Sequence, residues 1–309
     1  MIEYATFPPM AFGCMGLHPD KRAASIDAVG KALELGFRHF DNADLYPGPA
    51  LTGASEQLLG EAFAEHSVDR SKVFIASKCG IVFSQQREGH RYKAFDSSPH
   101  HLRTSVEESL RRLKTDYLDL FYIHRIDYLT APMEAAEALQ QMRAEGKIRA
   151  VGLSNYDVHQ ARAFSVGCPV DALQLEFNLL HQRPLADGMH ALATEWRIPL
   201  FAWSPLASGR LAHGGASGSD WLTQREDGVK LQLKQLADDL GISVSQLSMA
   251  WLQHLPGPVV PIVGSLNPSH LADASGASAV SLPPDLWYQL LVIGRGHPIP
   301  YSPKPTVLD

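Results

Sequence analysis

Apolar and polar positions follow two rhythms along this chain. Short, nearly continuous apolar runs at Phe37 to Phe40, Val73 to Ala76, Leu118 to Ile123, Arg149 to Leu153, Ala172 to Leu175, Pro199 to Trp203 and Val259 to Val263 predict strands buried on both faces. Between them, apolar residues recur every three or four positions. That spacing predicts helices over Ala23 to Leu35, Ser55 to Glu65, Pro99 to Leu113, Ala131 to Glu145, Val158 to Phe164 and Leu185 to Glu195. In the third of these, Leu102, Val106, Leu110 and Leu113 share one face, and Ser98-Pro99 supplies a cap and a first-turn proline. Gly36, Gly146 and Gly241 stand where helices should end.

One more strand near Phe12 to Met15 brings the alternation to about eight β/α units, enough to close a (β/α)8 TIM barrel of parallel strands. The rival is a doubly wound open sheet, which would lead one to look for G-x-G-x-x-G after the first strand; that spacing is absent from the sequence. No compositional break marks a linker. Residues 1–309 are therefore expected to form a single barrel domain, with 276–309 as a C-terminal helix and tail packed on it. Gly80 to Ser98, Ala207 to Gly228 and the proline-rich tail after Gly296 read as long loops, expected at the C-terminal face where such insertions shape a pocket. With Gly214, Gly215 and Gly218, the 207–228 stretch is the candidate lid.

Composition narrows the partners. A net charge of −6 and a pI near 6.1, with no basic stripe, argue against nucleic acid. No apolar run nears the roughly 20 residues of a membrane span, and no secretory signal pattern opens the chain, so a cytoplasmic protein is expected. Cys14, Cys79 and Cys168 are widely spaced and form no C-x-x-C, which disfavours zinc or a disulfide framework; Cys79 reads as a buried spacer. The histidines are scattered, and His100-His101 falls on a surface helix. The oligomeric state has no signature in the sequence.

Barrel active sites lie at the carboxyl ends of the strands. Successive strands there deliver Asp41, Lys78 and His124, with Tyr46 five residues after the aspartate. Together they suit proton transfer to a carbonyl oxygen. A free tyrosine has a pKa of about 10. A nearby ammonium lowers it, and a carboxylate holds the ammonium in place. Tyr46 and His124 would then stabilise an oxyanion, while hydride must come from a nicotinamide.

At this point the sequence resembles the aldo-keto reductase family. Phe40-Asp41-Asn42-Ala43-Asp44-Leu45-Tyr46 is similar to its D-x-A-x-x-Y segment, and Ser77-Lys78 and Ile123-His124-Arg125 to its lysine and histidine strands. Gly146 to Asn155 resembles its most recognisable string, and Trp203-Ser204-Pro205-Leu206 through Gly209 and Ile262 to Ser265 its later cofactor strands. Ser77 to Ile81, His124-Arg125 and Ala202 to Ser204 resemble the bacterial YdhF-like branch.

The resemblance implies a small-molecule aldehyde or ketone substrate and NADP(H), with NAD(H) as the alternative. It implies that Ser154, Asn155 and Gln174 hold the nicotinamide carboxamide and that Trp203 lies against the ring. Ser204, Leu206, Ser208, Gly209 and Arg210 would follow the pyrophosphate. Gly264, Ser265, Asn267 and His270 would meet the adenosine end. His270 stands where the family commonly has an arginine, and no Lys or Arg occurs from Gly264 through Gly276. Phe83, Tyr92, Phe95 and Trp221, joined by Met15, Leu17 and Phe177, are candidate pocket residues.

Two rivals remain. A metal-dependent hydrolase or isomerase on the same barrel is suggested by His39, Asp41, Asp44 and His124. Against it, no H-x-H or H-E-x-x-H spacing occurs, and His39 and Asp41 are expected on opposite strand faces; no metal is expected. The second rival binds a nicotinamide but acts as a redox-sensing or channel-associated subunit, although all four catalytic positions are present.

Overall fold

The computed structural model describes residues 9–83, 93–212 and 221–296, with backbone only for 221–225. Eight parallel strands close the barrel: β1 (Ala11–Gly13), β2 (His39–Asp41), β3 (Phe74–Cys79), β6 (Leu120–Ile123), β7 (Val151–Ser154), β8 (Ala172–Glu176), β9 (Leu200–Trp203) and β10 (Val259–Val263). They pair in chain order around the ring, and β10 returns to β1. The remaining two, β4 (Ile81–Phe83) and β5 (Lys93–Phe95), form an antiparallel pair inside the stretch read as a loop over 80–98. Their runs are only three residues long, too short for alternation to announce them.

The barrel is parallel because helices cross between the strands and cover its outer face. Phe12, Phe40, Ile75, Phe121, Ile123, Val151 and Leu173 point outward into the main core. Helix Pro99–Leu113 packs Leu102, Val106 and Leu113 there; each such side chain is worth roughly 1.5–3 kcal/mol of burial. Its start is as read, with Ser98 Oγ accepting from His101 N at 3.4 Å and proline in the first turn.

Other boundaries moved. The first strand ends at Gly13 and tightens into a 3-10 turn over Cys14–Gly16. The helix read over 185–195 splits into Arg183–Ala186 and Met189–Trp196, because Gly188 takes φ 84° and Asp187 Oδ1 accepts from Met189 N. Helix Trp221–Leu240 occupies the end of the stretch read as a lid; residues 213–220, like the tail from 297, lie outside the described residues. Helix Pro284–Arg295 follows the barrel, its Gln182 contact reaching Leu291 O at 2.9 Å. Among the described residues no helix is long and apolar enough to cross a membrane.

Inside the barrel, Ala11, Ala76, Leu120, Tyr122, Ala150, Ala172, Phe201, Val260 and Ile262 fill the floor. Gly152 is demanded by this packing: a Cβ there would fall into the Tyr122 ring. His39 sits in the same layer, its ring centroid 4.6 Å from Phe74 and 4.7 Å from Phe201. The expectation that His39 and Asp41 diverge is corrected, since strand positions two apart share a face. Both ring nitrogens of His39 are buried without a partner.

Burial, then the Lys78 charge, pushes His39 down to about 3, so it folds neutral. The unfolded ring, near 6.5, takes up a proton below that value, and stability falls as pH drops from about 6.5 toward 3, by up to about 1.4 kcal/mol per pH unit. His39→Leu removes this loss. Its stability advantage over the wild type is expected to widen as pH falls through that window, and guanidinium unfolding at pH 5 and pH 7.5 measures it. An advantage independent of pH would refute the neutral, buried histidine.

A candidate active site at the strand ends

The carboxyl ends of β2, β3, β6, β7 and β8 bring the expected groups to one mouth. Register places Asp41 beside Gly13 and Ala76, Lys78 beside Tyr122, and Ser154 beside Gln174. Lys78 is fully buried, and its Nζ donates to Asp41 Oδ2 at 2.7 Å and to Asn42 O at 2.6 Å. The other Asp41 oxygen accepts from Gln174 Nε2 at 2.8 Å. Lys78 Nζ lies 5.2 Å from the Tyr46 ring centroid, and the His124 ring meets Tyr46 edge-on, with 5.9 Å between centroids.

The loop carrying Tyr46 is held from below. Tyr46 N donates to Ala43 O, Tyr46 O accepts from Ser55 N, and Ser55 Oγ donates to Cys14 O at 2.7 Å. Glu56, fully buried one residue further on, is satisfied by Ser77 Oγ at 2.5 Å and Arg112 Nε at 2.7 Å.

The charge states follow from this enclosure. Burial pulls the Lys78 ammonium down, but Asp41 and Tyr46 more than offset it, and its pKa ends above the ordinary value. Tyr46 departs from the sequence expectation: burial holds its phenol above 10, and Lys78 only opposes that rise. The phenol is therefore protonated at neutral pH. Burial, with Lys78 and Arg125, pushes His124 well below its usual range, so its ring is neutral. Asp44 is raised to about 7 by burial and by the nearby Glu56 carboxylate.

Beside this quartet lies a second cluster. Asn155 Nδ2 donates to Ser154 Oγ at 2.8 Å and to His124 O at 3.1 Å, and Trp203 Nε1 donates to Asn155 Oδ1 at 3.0 Å. Asn155, Ser204, Ala207 and Ser208 all take positive φ, 50° to 61°, a conformation that costs non-glycine residues and collects at functional sites. Ser204 Oγ and Ser208 Oγ lie 3.3 Å apart, and Leu206 and Gly209 complete the turn, whose backbone bond runs from Gly209 N to Leu206 O. Arg210 stands in this turn, but its Nη1 is paired with Glu226 at 2.5 Å. At the β10 end, Gly264 packs against Gly13, where a Cβ would come within 3.3 Å of its Cα. Ser265 Oγ meets His270 Nδ1 at 3.2 Å, and Asn267 caps helix Pro268–Ser275 through Ser269 N.

Several groups escaped the sequence reading. Tyr122, two before His124, carried a signal in strand alternation. Asn178, whose Nδ2 holds Ser204 O at 3.0 Å, carried none. Leu17 and Phe177 are core residues, not pocket residues, and Phe177 packs edge-on against Trp251. Phe83 and Phe95 sit in the β4–β5 pair and Met15 is 61% exposed, whereas Tyr92 and the Trp221 side chain lie outside the described residues.

The profile of the aldo/keto reductase family matches residues 9–291. This chain belongs to the aldo/keto reductase family. It is 33% identical to a 6-dehydroglucose reductase of Novosphingobium aromaticivorans over 94% of this chain and 93% of that one. It is 30% identical to oxidoreductase YdhF of Escherichia coli over 89% of each, in line with the branch read from the sequence. The structure of the glycerol dehydrogenase AKR11B4 from Gluconobacter oxydans superimposes with a TM-score of 0.81 at 25% identity, covering 97% of this chain and 95% of that one. As an aldo/keto reductase the chain is an oxidoreductase of a family that works with nicotinamide cofactors, and the metal-dependent hydrolase reading falls away.

Proposed function

We propose that the chain reduces an aldehyde or ketone, with Tyr46 giving the proton to the carbonyl oxygen and NADPH as the preferred reductant. The observation that carries this reading is the Asp41–Lys78 pair, sealed under the Tyr46 ring with His124 edge-on beside it. A neutral His124 donates one N–H to the carbonyl oxygen and so sets its position. Tyr46, protonated at neutral pH, then supplies its proton as negative charge builds there, and the Lys78 ammonium stabilises the phenolate left behind. Asp41 holds the ammonium in register.

Nicotinamide, when bound, supplies the hydride. The residues fit it. Ser154, Asn155 and Gln174 present short donors and acceptors of the kind a planar amide needs, with the Trp203 indole tied to the same cluster. Ser204, Leu206, Ser208, Gly209 and Arg210 are assigned to the pyrophosphate, and Gly264, Ser265, Asn267 and His270 to the adenosine end.

Binding of the two nucleotides tests the cofactor assignment. Because no Lys or Arg lies in 264–276, NADPH is gripped by a few hydrogen bonds, each worth about 0.5–1.5 kcal/mol. Its advantage over NADH is therefore expected to stay near tenfold, about 1.4 kcal/mol. Titration followed by tryptophan fluorescence measures both. Silence with both nucleotides sinks the reductase reading, and an advantage above about a hundredfold sinks the account of the phosphate end.

A further inference from the structure

Behind the mouth, on the outer side of β3, three side chains of metal-binding type converge. We propose that Asp44, Cys79 and His101 form a binding site for one zinc-like divalent ion, distinct from the reductase machinery. One ligand atom from each lies within 4.8 Å of the other two. Asp44 and Cys79 are buried and His101 half-buried, which leaves the histidine as the side open to solvent. The Asp44 Oδ1 atom is enclosed without a hydrogen-bond partner, and an enclosed carboxylate oxygen with nothing to accept from is costly unless something fills its place.

Each ligand is fixed by its own element. Asp44 N donates to Lys78 O at 2.9 Å, and Cys79 O accepts from His124 N at 2.8 Å. His101 is in the first turn of helix Pro99–Leu113, and its Nε2 meets Ser105 Oγ at 3.5 Å. That contact fixes the ring beside the site, as outer partners orient metal-bound histidines. On this helix His100 is exposed and His101 half-buried.

One carboxylate, one thiolate and one imidazole select a borderline ion such as zinc over magnesium or calcium, with a fourth position left to water. On binding, the Cys79 thiol and any protonated Asp44 carboxyl give their protons to solvent, and the resulting thiolate and carboxylate neutralise the two charges of the ion.

The full chain is loaded with cobalt(II) and followed by absorption, then displaced with zinc. One equivalent per chain with thiolate-to-cobalt charge transfer is expected. The charge-transfer band should vanish in Cys79→Ser, and zinc affinity should fall at least about tenfold in His101→Ala, whose half-exposed position spares the fold. No stoichiometric binding by the wild type, or binding without the thiolate band, overturns the proposal. So does affinity unchanged in a folded His101→Ala. None of these readouts depends on turnover.

Discussion

Tyr46→Phe is expected to lower kcat/KM for aldehyde reduction by about 10²–10⁴-fold, the range lost when a positioned proton donor is removed. The substitution deletes one oxygen and keeps the ring that Lys78 and His124 contact, so the shape of the mouth is preserved. Nucleotide affinity should be unchanged, because the Ser154, Asn155 and Trp203 contacts do not pass through Tyr46. Steady-state kinetics with NADPH and a fluorescence titration of the same preparation separate the two effects. Turnover within about threefold of wild type would remove Tyr46 from the chemistry.

The second large effect is on stability. Lys78 and Asp41 are 0% and 4% exposed and 2.7 Å apart. Lys78→Met leaves the buried Asp41 carboxyl with only Gln174 to donate to it, and the loss of one partner of a buried pair costs about 3–5 kcal/mol. Adding Asp41→Asn removes the stranded charge while keeping an acceptor for Gln174 Nε2. The double variant is therefore expected to regain much of that loss, a coupling read from guanidinium unfolding of the four proteins. A single-variant loss below about 1 kcal/mol would mean the carboxylate is solvated or protonated and the pair is not sealed.

The barrel was legible because its strands are buried on both faces and read as apolar blocks, and because Ser98-Pro99 and Gly146 mark helix limits by local chemistry. The β4–β5 pair and the break at Gly188 were not, since three-residue strands carry no period and a single glycine within a helical pattern is ambiguous. In the site, Asp41, Tyr46, Lys78 and His124 were picked out by strand-end position and by their joint chemistry, and they do meet at one mouth. What position could not supply was environment. The direction of the Tyr46 shift depends on how completely the ring is enclosed, and the partner of Arg210 is 16 residues away on another element. The facing of His39 was legible and was misread: counting by two puts it inside.

On the proposed cofactor assignment, the Arg210–Glu226 contact gives nucleotide binding a built-in rival. Its partners are 48% and 23% exposed, so the pair itself contributes little, about 0–1 kcal/mol. Glu226 is nonetheless tethered to the same chain and meets the guanidinium at a high local concentration. A phosphate arriving at Arg210 gains only the difference between two ionic contacts. On that assignment Arg210 is a weaker anchor than its charge alone suggests.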